Sequence, residues 1–161
     1  MKGEREETES FETAIDLDMD AYIPATYIKN EMQKLEMYKR IAAIEDTAEY
    51  EDMIDELTDR FGELPKAVSN LLRIALLKAK AHKAYIVELK GDKKQFRINM
   101  YSKAPVDINK IPALVEKYRG DLKFIADANP YFNYIPRNAI KDNEGCFDVL
   151  DDIVDAIAGL L

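Results

Sequence analysis

Between Asn30 and Ala79 the apolar residues recur at steps of three and four, and beyond Ala84 they alternate with polar residues or gather in short runs. That change of period predicts helices first and strands later, the signature of an α+β fold. Three N-terminal helices are expected. The first opens at Asn30, with Gln33 three residues on, and carries Met32, Leu35, Tyr38, Ile41 and Ala42 as its apolar face. The second opens at Asp46 and Glu49, which have capping-box spacing, and continues with a stripe of Tyr50, Met53, Ile54, Leu57 and Phe61. Gly62 suits the left-handed position that ends a helix, and Pro65 suits the first turn of the third. Leu64 and Val68 are spaced as a hydrophobic staple for that helix, whose core face reads Val68, Leu71, Leu72, Ala75 and Ala79.

Strand signals flank this helical layer. Phe11–Asp20 alternates loosely, with Ile15, Leu17 and Met19 on one side, and Ala21–Pro24 turns the chain. Tyr85–Lys90 and the alternating Phe96, Ile98 and Met100 form a hairpin pattern around a Gly91-Asp92 turn. Asp107–Gly120 is helical in spacing, and Pro112 places its start near Lys110. Leu122–Ala126 and Tyr131–Ile135 pair around Asn129-Pro130, and Phe147, Leu150, Val154, Ile157 and Leu161 close the chain as a second such helix. Residues 1–10 are polar and without period, a disordered lead or linker remnant, which leaves 11–161 as one α+β domain.

Composition narrows the function classes. At 161 residues the chain can bury a core, and its 47% apolar and 34% charged content is that of a globular domain. One cysteine permits no internal disulfide, so a reducing, cytoplasmic setting is expected, and no apolar run reaches the length of a membrane span. No phosphate-cradling glycine motif is present, and one His with one Cys cannot build a zinc site of the usual ligands. No catalytic residue, cofactor or metal is therefore expected in this chain. His82 is expected on the surface and Cys146 as a small packed hydrophobe.

Charge is where the sequence is most uneven. Eight acids and no Lys or Arg lie from Glu45 to Asp59, as many as the formal net charge of −8. On the second helix Asp52, Asp55, Glu56 and Asp59 crowd one another, and like charges a turn apart cost roughly 0.2–0.5 kcal/mol per pair. Asp55, Glu56 and Asp59 also lie in its last turns, where the helix dipole disfavours anions. The pattern fits a solvated face in an acidic protein, or a docking face for a basic partner. Docking requires Glu56 and Asp59 to be accessible and not neutralised by the chain's own Lys and Arg. The opposite bias runs from Lys66 to Arg97, with nine Lys or Arg against Glu88 and Asp92. It fits a phosphate-contacting, nucleic-acid-binding patch, or charges that solubilise the surface or answer the acidic helix. It lacks the interleaved aromatics of a single-strand binder.

Four blocks carry a resemblance: Ala21-Tyr22-Ile23-Pro24, Tyr27-Ile28, Leu35-Glu36-Met37-Tyr38-Lys39-Arg40-Ile41-Ala42, and Asp55-Glu56-Leu57-Thr58-Asp59-Arg60-Phe61-Gly62-Glu63-Leu64-Pro65. Together they resemble the C-terminal domain of the bacterial transcription-repair coupling factors, the Mfd family, specifically over about Asp16 to Ala79. Lys29 stands where members of that family usually carry proline. The resemblance implies a parent ATP-driven DNA translocase that displaces stalled RNA polymerase and recruits the excision-repair protein UvrA through a UvrB-like module. It implies that the C-terminal domain is an autoinhibitory clamp, docked on the UvrB-like module and hiding the UvrA-binding surface. The family's docking acids fall on Glu56 and Asp59, with Asp52 and Asp55 extending the face. Arg60 is then expected to fold back over the acids and Phe61 to join the core.

Overall fold

The first two helices begin where the sequence places a cap. The computed structural model describes Phe11–Leu161, so the expected lead at residues 1–10 lies outside the described residues. Helix α1 is Glu31–Ala42, α2 is Thr47–Phe61 and α3 is Lys66–Lys83. The Asn30 side chain accepts from the Gln33 N–H at 3.0 Å, and Asp46 accepts from the Glu49 N–H at 2.8 Å. The reciprocal Glu49 carboxylate reaches the N–H of Glu45 at 3.1 Å rather than that of the cap itself. Gly62 ends α2 at φ 93°. Pro65 sits one residue earlier than expected, as the cap of α3, its carbonyl accepting from Val68 and Ser69.

These helices bury one apolar cluster that includes Met37, Ile41, Met53, Leu57, Val68 and Leu72, with Leu64, Tyr50 and Phe61 packed around it. The stripes expected for α2 and α3 turn inward, but the one expected for α1 does not. Met32 is 77% exposed and Leu35 52%, while Met37, Ile41 and the following Ile44 point to the core. Tyr38 stays at the margin of the cluster and accepts the N–H of Ile23 through its hydroxyl at 2.8 Å.

The strands form one sheet in the order β1-β2-β3-β5-β4. They are Ala14–Leu17, Ile86–Gly91, Phe96–Met100, Leu122–Ile125 and Tyr131–Tyr134 as β1, β2, β3, β4 and β5. β1 pairs parallel with β2, and the remaining ladders are antiparallel, so both expected hairpins are present. The first hairpin turns through four residues rather than two. Gly91 still pairs with Phe96, and the Asp92 carboxylate accepts the N–H groups of Lys94 and Gln95. Tyr85, expected as the first strand residue, instead takes φ 63° and donates its N–H to the His82 carbonyl, closing α3. A 3₁₀ turn at Ile108–Lys110 leads into α4, Ile111–Lys117, with Pro112 in its first turn. The last helix, α5, is Asn143–Ala158 and buries Phe147, Leu150, Ile153, Val154 and Ile157. Leu161, expected on that face, is 40% exposed, and Leu160 is buried in its place.

The 11–161 segment divides into two compact units. One is Met19–Lys80, and the other joins the residues up to Asp18 to Ala81–Leu161. The helical unit is thus inserted between β1 and β2, the two strands that pair in parallel.

Candidate functional site

The acidic face of α2 is set by what its other face buries. Met53 and Leu57 are inward, with Tyr50, Ile54 and Phe61 half-buried beside them, so the opposite side must meet solvent. Asp52, Asp55 and Asp59 are there, exposed, and no side-chain ion pair or hydrogen bond engages them among the described residues. The C-terminal end of α2 is held by Tyr27, whose hydroxyl donates to the carbonyls of Gly62 at 2.8 Å and Leu57 at 3.1 Å.

Glu56 behaves differently from the three aspartates. It lies to the side of the helix that faces α1, and both its oxygens accept from the Arg40 guanidinium: Oε1 from Nη2 at 2.6 Å and Oε2 from Nη1. Oε2 also accepts from Arg60 Nη1 at 3.1 Å. A planar two-pronged contact of this kind is the strong form of a guanidinium–carboxylate pair. The hydrogen bond from Arg40 holds the Glu56 carboxyl down at about 2, against partial burial, with the Arg60 bond and both positive charges adding. The bond to Glu56 in turn raises Arg40. Arg60 folds back as expected, its guanidinium 5.1 Å from the centre of the Phe61 ring.

The requirement set by the sequence is therefore met by Asp59 and not by Glu56. Glu56 is only 32% exposed, and the chain's own Arg40 and Arg60 neutralise it. What faces outward is Asp52, Asp55 and Asp59, beside a mixed-charge seam. A pocket of about 310 Å³ lies along that seam, with Arg40, Ile44, Glu49, Asp52, Met53 and Glu56 among its lining residues. Arg40 is the residue sequence reasoning missed. It sits in the Leu35–Ala42 block that carried the resemblance, but nothing local in the sequence says that it reaches across to α2.

His82 is half-buried rather than solvated: its Nδ1 is 3.0 Å from Thr13 Oγ1 and its ring centre 4.5 Å from that of Phe11. Thr13 donates its one proton to the Ile86 carbonyl at 2.7 Å, so His82 Nδ1 carries the hydrogen of the pair. Cys146 is 2% exposed, and burial pushes its thiol up, as suits a packed hydrophobe. In the basic stretch, Arg97 lies 3.7 Å from the centre of the Tyr131 ring and donates to Asn99, and Lys90 is 3.8 Å from Glu88. The stretch is divided between the two units at Lys80.

Among the described residues, a five-stranded mixed sheet with five α-helices and an acid-faced helical unit defines an α+β domain of the class the sequence pattern predicts. The chain belongs to the TRCF domain family, whose model matches residues 17–111. It is 40% identical over 108 residues to the transcription-repair-coupling factor of Bacillus subtilis (strain 168), covering 67% of this chain and 9% of that protein. It is 36% identical over 104 residues to the factor of the same name from Staphylococcus haemolyticus, covering 65% of this chain and 9% of that one. The match thus spans about a tenth of the length of these relatives. Among solved structures, it is similar to the C-terminal domain of transcription-repair coupling factor, with a TM-score of 0.72, 26% identity, and 92% and 94% of the two chains covered. Family and fold are those that the Asp55–Pro65 and Leu35–Ala42 blocks point to. No helix among the described residues is long and apolar enough to cross a membrane.

Proposed function

We propose that this domain is a regulatory, autoinhibitory interaction module of a DNA-repair translocase. It docks through the acidic face of α2 on a basic surface of the UvrB-like module of the same parent protein and so masks UvrA recruitment. DNA and RNA polymerase are engaged by other parts of that parent, which works in the cytoplasm. The observation that carries the reading is the exposure of Asp52, Asp55 and Asp59 along one side of α2, with no side-chain counter-charge engaging them among the described residues. A face this acidic is poorly matched to solvent at a helix C-terminus and is relieved by an Arg-bearing partner.

Glu56 takes a different part. Clamped by Arg40 and Arg60, it ties α1 to α2 rather than meeting the partner. Asp59 and its neighbours then make the direct contact. The alternative, nucleic-acid binding through Lys66–Arg97, has less support, because Arg97 and Lys90 are already engaged by Tyr131, Asn99 and Glu88.

The test is calorimetric titration of the isolated UvrB-like module with this chain. Asp55→Lys/Asp59→Lys is expected to weaken binding by about a hundredfold, as reversing two interfacial charges does, and Glu56→Gln by no more than a few-fold. Affinity must also fall as salt rises. Unchanged binding by the double lysine variant would reject the acidic-face mechanism.

A further inference from the structure

Strands β3, β5 and β4 bury Phe96, Ile98, Phe132 and Leu122 on one face of the sheet. Their alternate residues, with Gln95 beside them, therefore share the other face. Register sets these in two rows, Arg97–Asn133–Lys123 and Asn99–Tyr131–Ile125. Arg97 and Lys123 are exposed, and the other four are half-buried. In a chain with 31 acids, these positions hold none. Glu88 and Lys90 of β2 bound the patch on one side and lie 3.8 Å from each other.

The Arg97 guanidinium lies 3.7 Å from the centre of the Tyr131 ring and is held there by its Nε bond to Asn99 at 3.0 Å. That takes Arg97 out of a phosphate track along Lys66–Arg97, but it leaves the outer surface of a fixed guanidinium plane as a seat for a base. Tyr131 supplies from β5 the aromatic ring that the basic stretch lacks in sequence. Gln95 donates through Nε2 to Asn133 Oδ1 at 2.9 Å. Gln95 Oε1 and Asn133 Nδ2, an acceptor and a donor, are left without a partner among the described residues. One donor beside one acceptor is the complement of a base edge. Lys123 stands in the same row, has no ion pair among the described residues, and is placed to meet a phosphate.

These groups discriminate between occupants. A carboxylate surface, such as the acidic face of α2 in a second copy, would use the two cations but neither the stacked plane nor the amide pair. The same sheet face of a second copy would set Arg97 and Lys123 against cations. Duplex DNA keeps its bases stacked on one another, so the seat on Arg97 takes a base only from a single strand. Ile125, opposite Tyr131, offers no group to a ribose 2′-hydroxyl, which favours deoxyribose.

We propose that the outer face of β3, β5 and β4 binds single-stranded DNA, with a base stacked on Arg97, its edge on the Gln95–Asn133 amide pair and a phosphate at Lys123. The site lies within the unit that holds Ala81–Leu161 and does not rest on docking through α2. The test is fluorescence anisotropy of a labelled strand of eight deoxythymidines titrated with the full chain, with ¹⁵N shifts locating the contact. Shifts are expected at Arg97, Lys123 and the side-chain amides of Gln95 and Asn133. An abasic strand of the same length should bind about tenfold more weakly, and Arg97→Ala should weaken the thymidine strand by about as much. Lys123→Gln, an exposed substitution compatible with the fold, should reduce the slope of log affinity against log salt by about 0.7, the share of one single-strand phosphate. Lys78→Gln, on the exposed side of α3, should change neither affinity nor slope. The proposal is overturned by absence of binding at millimolar strand or by indifference to Arg97→Ala. It is overturned equally by an abasic strand, a glutamate peptide of equal charge, a ribose strand or a duplex that binds as tightly, or by shifts that grow with chain concentration alone.

Discussion

Arg40 and Glu56 tie α1 to α2 through a two-pronged contact, one prong 2.6 Å long, and Arg60 adds a third bond to the same carboxylate. The pair is partly solvent-exposed, so its worth is that of a well-formed surface bridge, about 1 kcal/mol. Glu56→Gln and Arg40→Ala should each lower stability by about that amount. The double variant should lose less than the two losses added together. Urea denaturation of the four proteins, analysed as a cycle, measures the coupling.

The same pair sets a pH dependence. The Glu56 carboxyl is held at about 2 in the folded chain, while a free glutamate titrates near 4.3. Because the folded value is the lower, the stabilisation is complete above about pH 5 and is lost as pH falls toward 2. Wild type should therefore exceed Glu56→Gln in urea midpoint at pH 7 and converge on it near pH 2.5. A gap of constant size across that range would contradict the assignment.

Leu57 is fully buried in the apolar cluster of the helical unit. Leu57→Ala should cost about 3 kcal/mol through lost burial and an unfilled cavity. Loss of α-helical circular dichroism at lower temperature reports it. Met32→Ala, at a position of similar apolar character but 77% exposed, should fall within about 0.5 kcal/mol of wild type.

Tyr118 presents the opposite case. Among the described residues its buried hydroxyl has no hydrogen-bond partner, and burial, with the nearby Asp152 charge, pushes its pKa up to about 12. An unsatisfied buried hydroxyl is a cost, so Tyr118→Phe should stabilise the chain by about 1 kcal/mol, or roughly 2–4 °C in melting temperature. A lower melting temperature would show that the hydroxyl contributes to the fold.

Gly91 and Gly62 both have positive φ but should respond differently to alanine. At Gly91, φ 151°, a Cβ would stand 2.0 Å from the Gln95 carbonyl oxygen and 2.8 Å from the Phe96 Cα. At Gly62, φ 93°, a Cβ would meet no atom within 4 Å among the described residues beyond its chain neighbours. Gly62→Ala should cost about 1 kcal/mol of backbone strain. Gly91→Ala should cost more and should disturb the β2–β3 turn, visible as amide shifts from Gly91 to Phe96.

Much of this architecture is legible in the chain because its signals are local. Asn30 with Gln33, Asp46 with Glu49, and Pro112 each mark a helix start within a turn or so of where it occurs. Failures come where the deciding partner is distant. Helix α1 carries two apolar stripes, one through Met32 and Leu35 and one through Met37 and Ile41, and only packing against α2 and α3 selects the second. The parallel pairing of β1 depends on a strand some seventy residues downstream, as the Thr13 bond to Ile86 illustrates. At the candidate site, the exposure of Asp52, Asp55 and Asp59 follows from the periodicity of α2 alone. The diversion of Glu56 does not, since it requires Arg40 from another helix.

The insertion of Met19–Lys80 between β1 and β2 has a kinetic consequence. A contiguous helical segment with its own apolar cluster can condense from near neighbours along the chain, whereas the first strand must wait for a partner synthesised much later. Collapse of the intervening helices shortens the effective tether between those strands and lowers the entropy lost when they join. Assembly should therefore run from the middle of the polypeptide outward, with β1 among the last elements to settle.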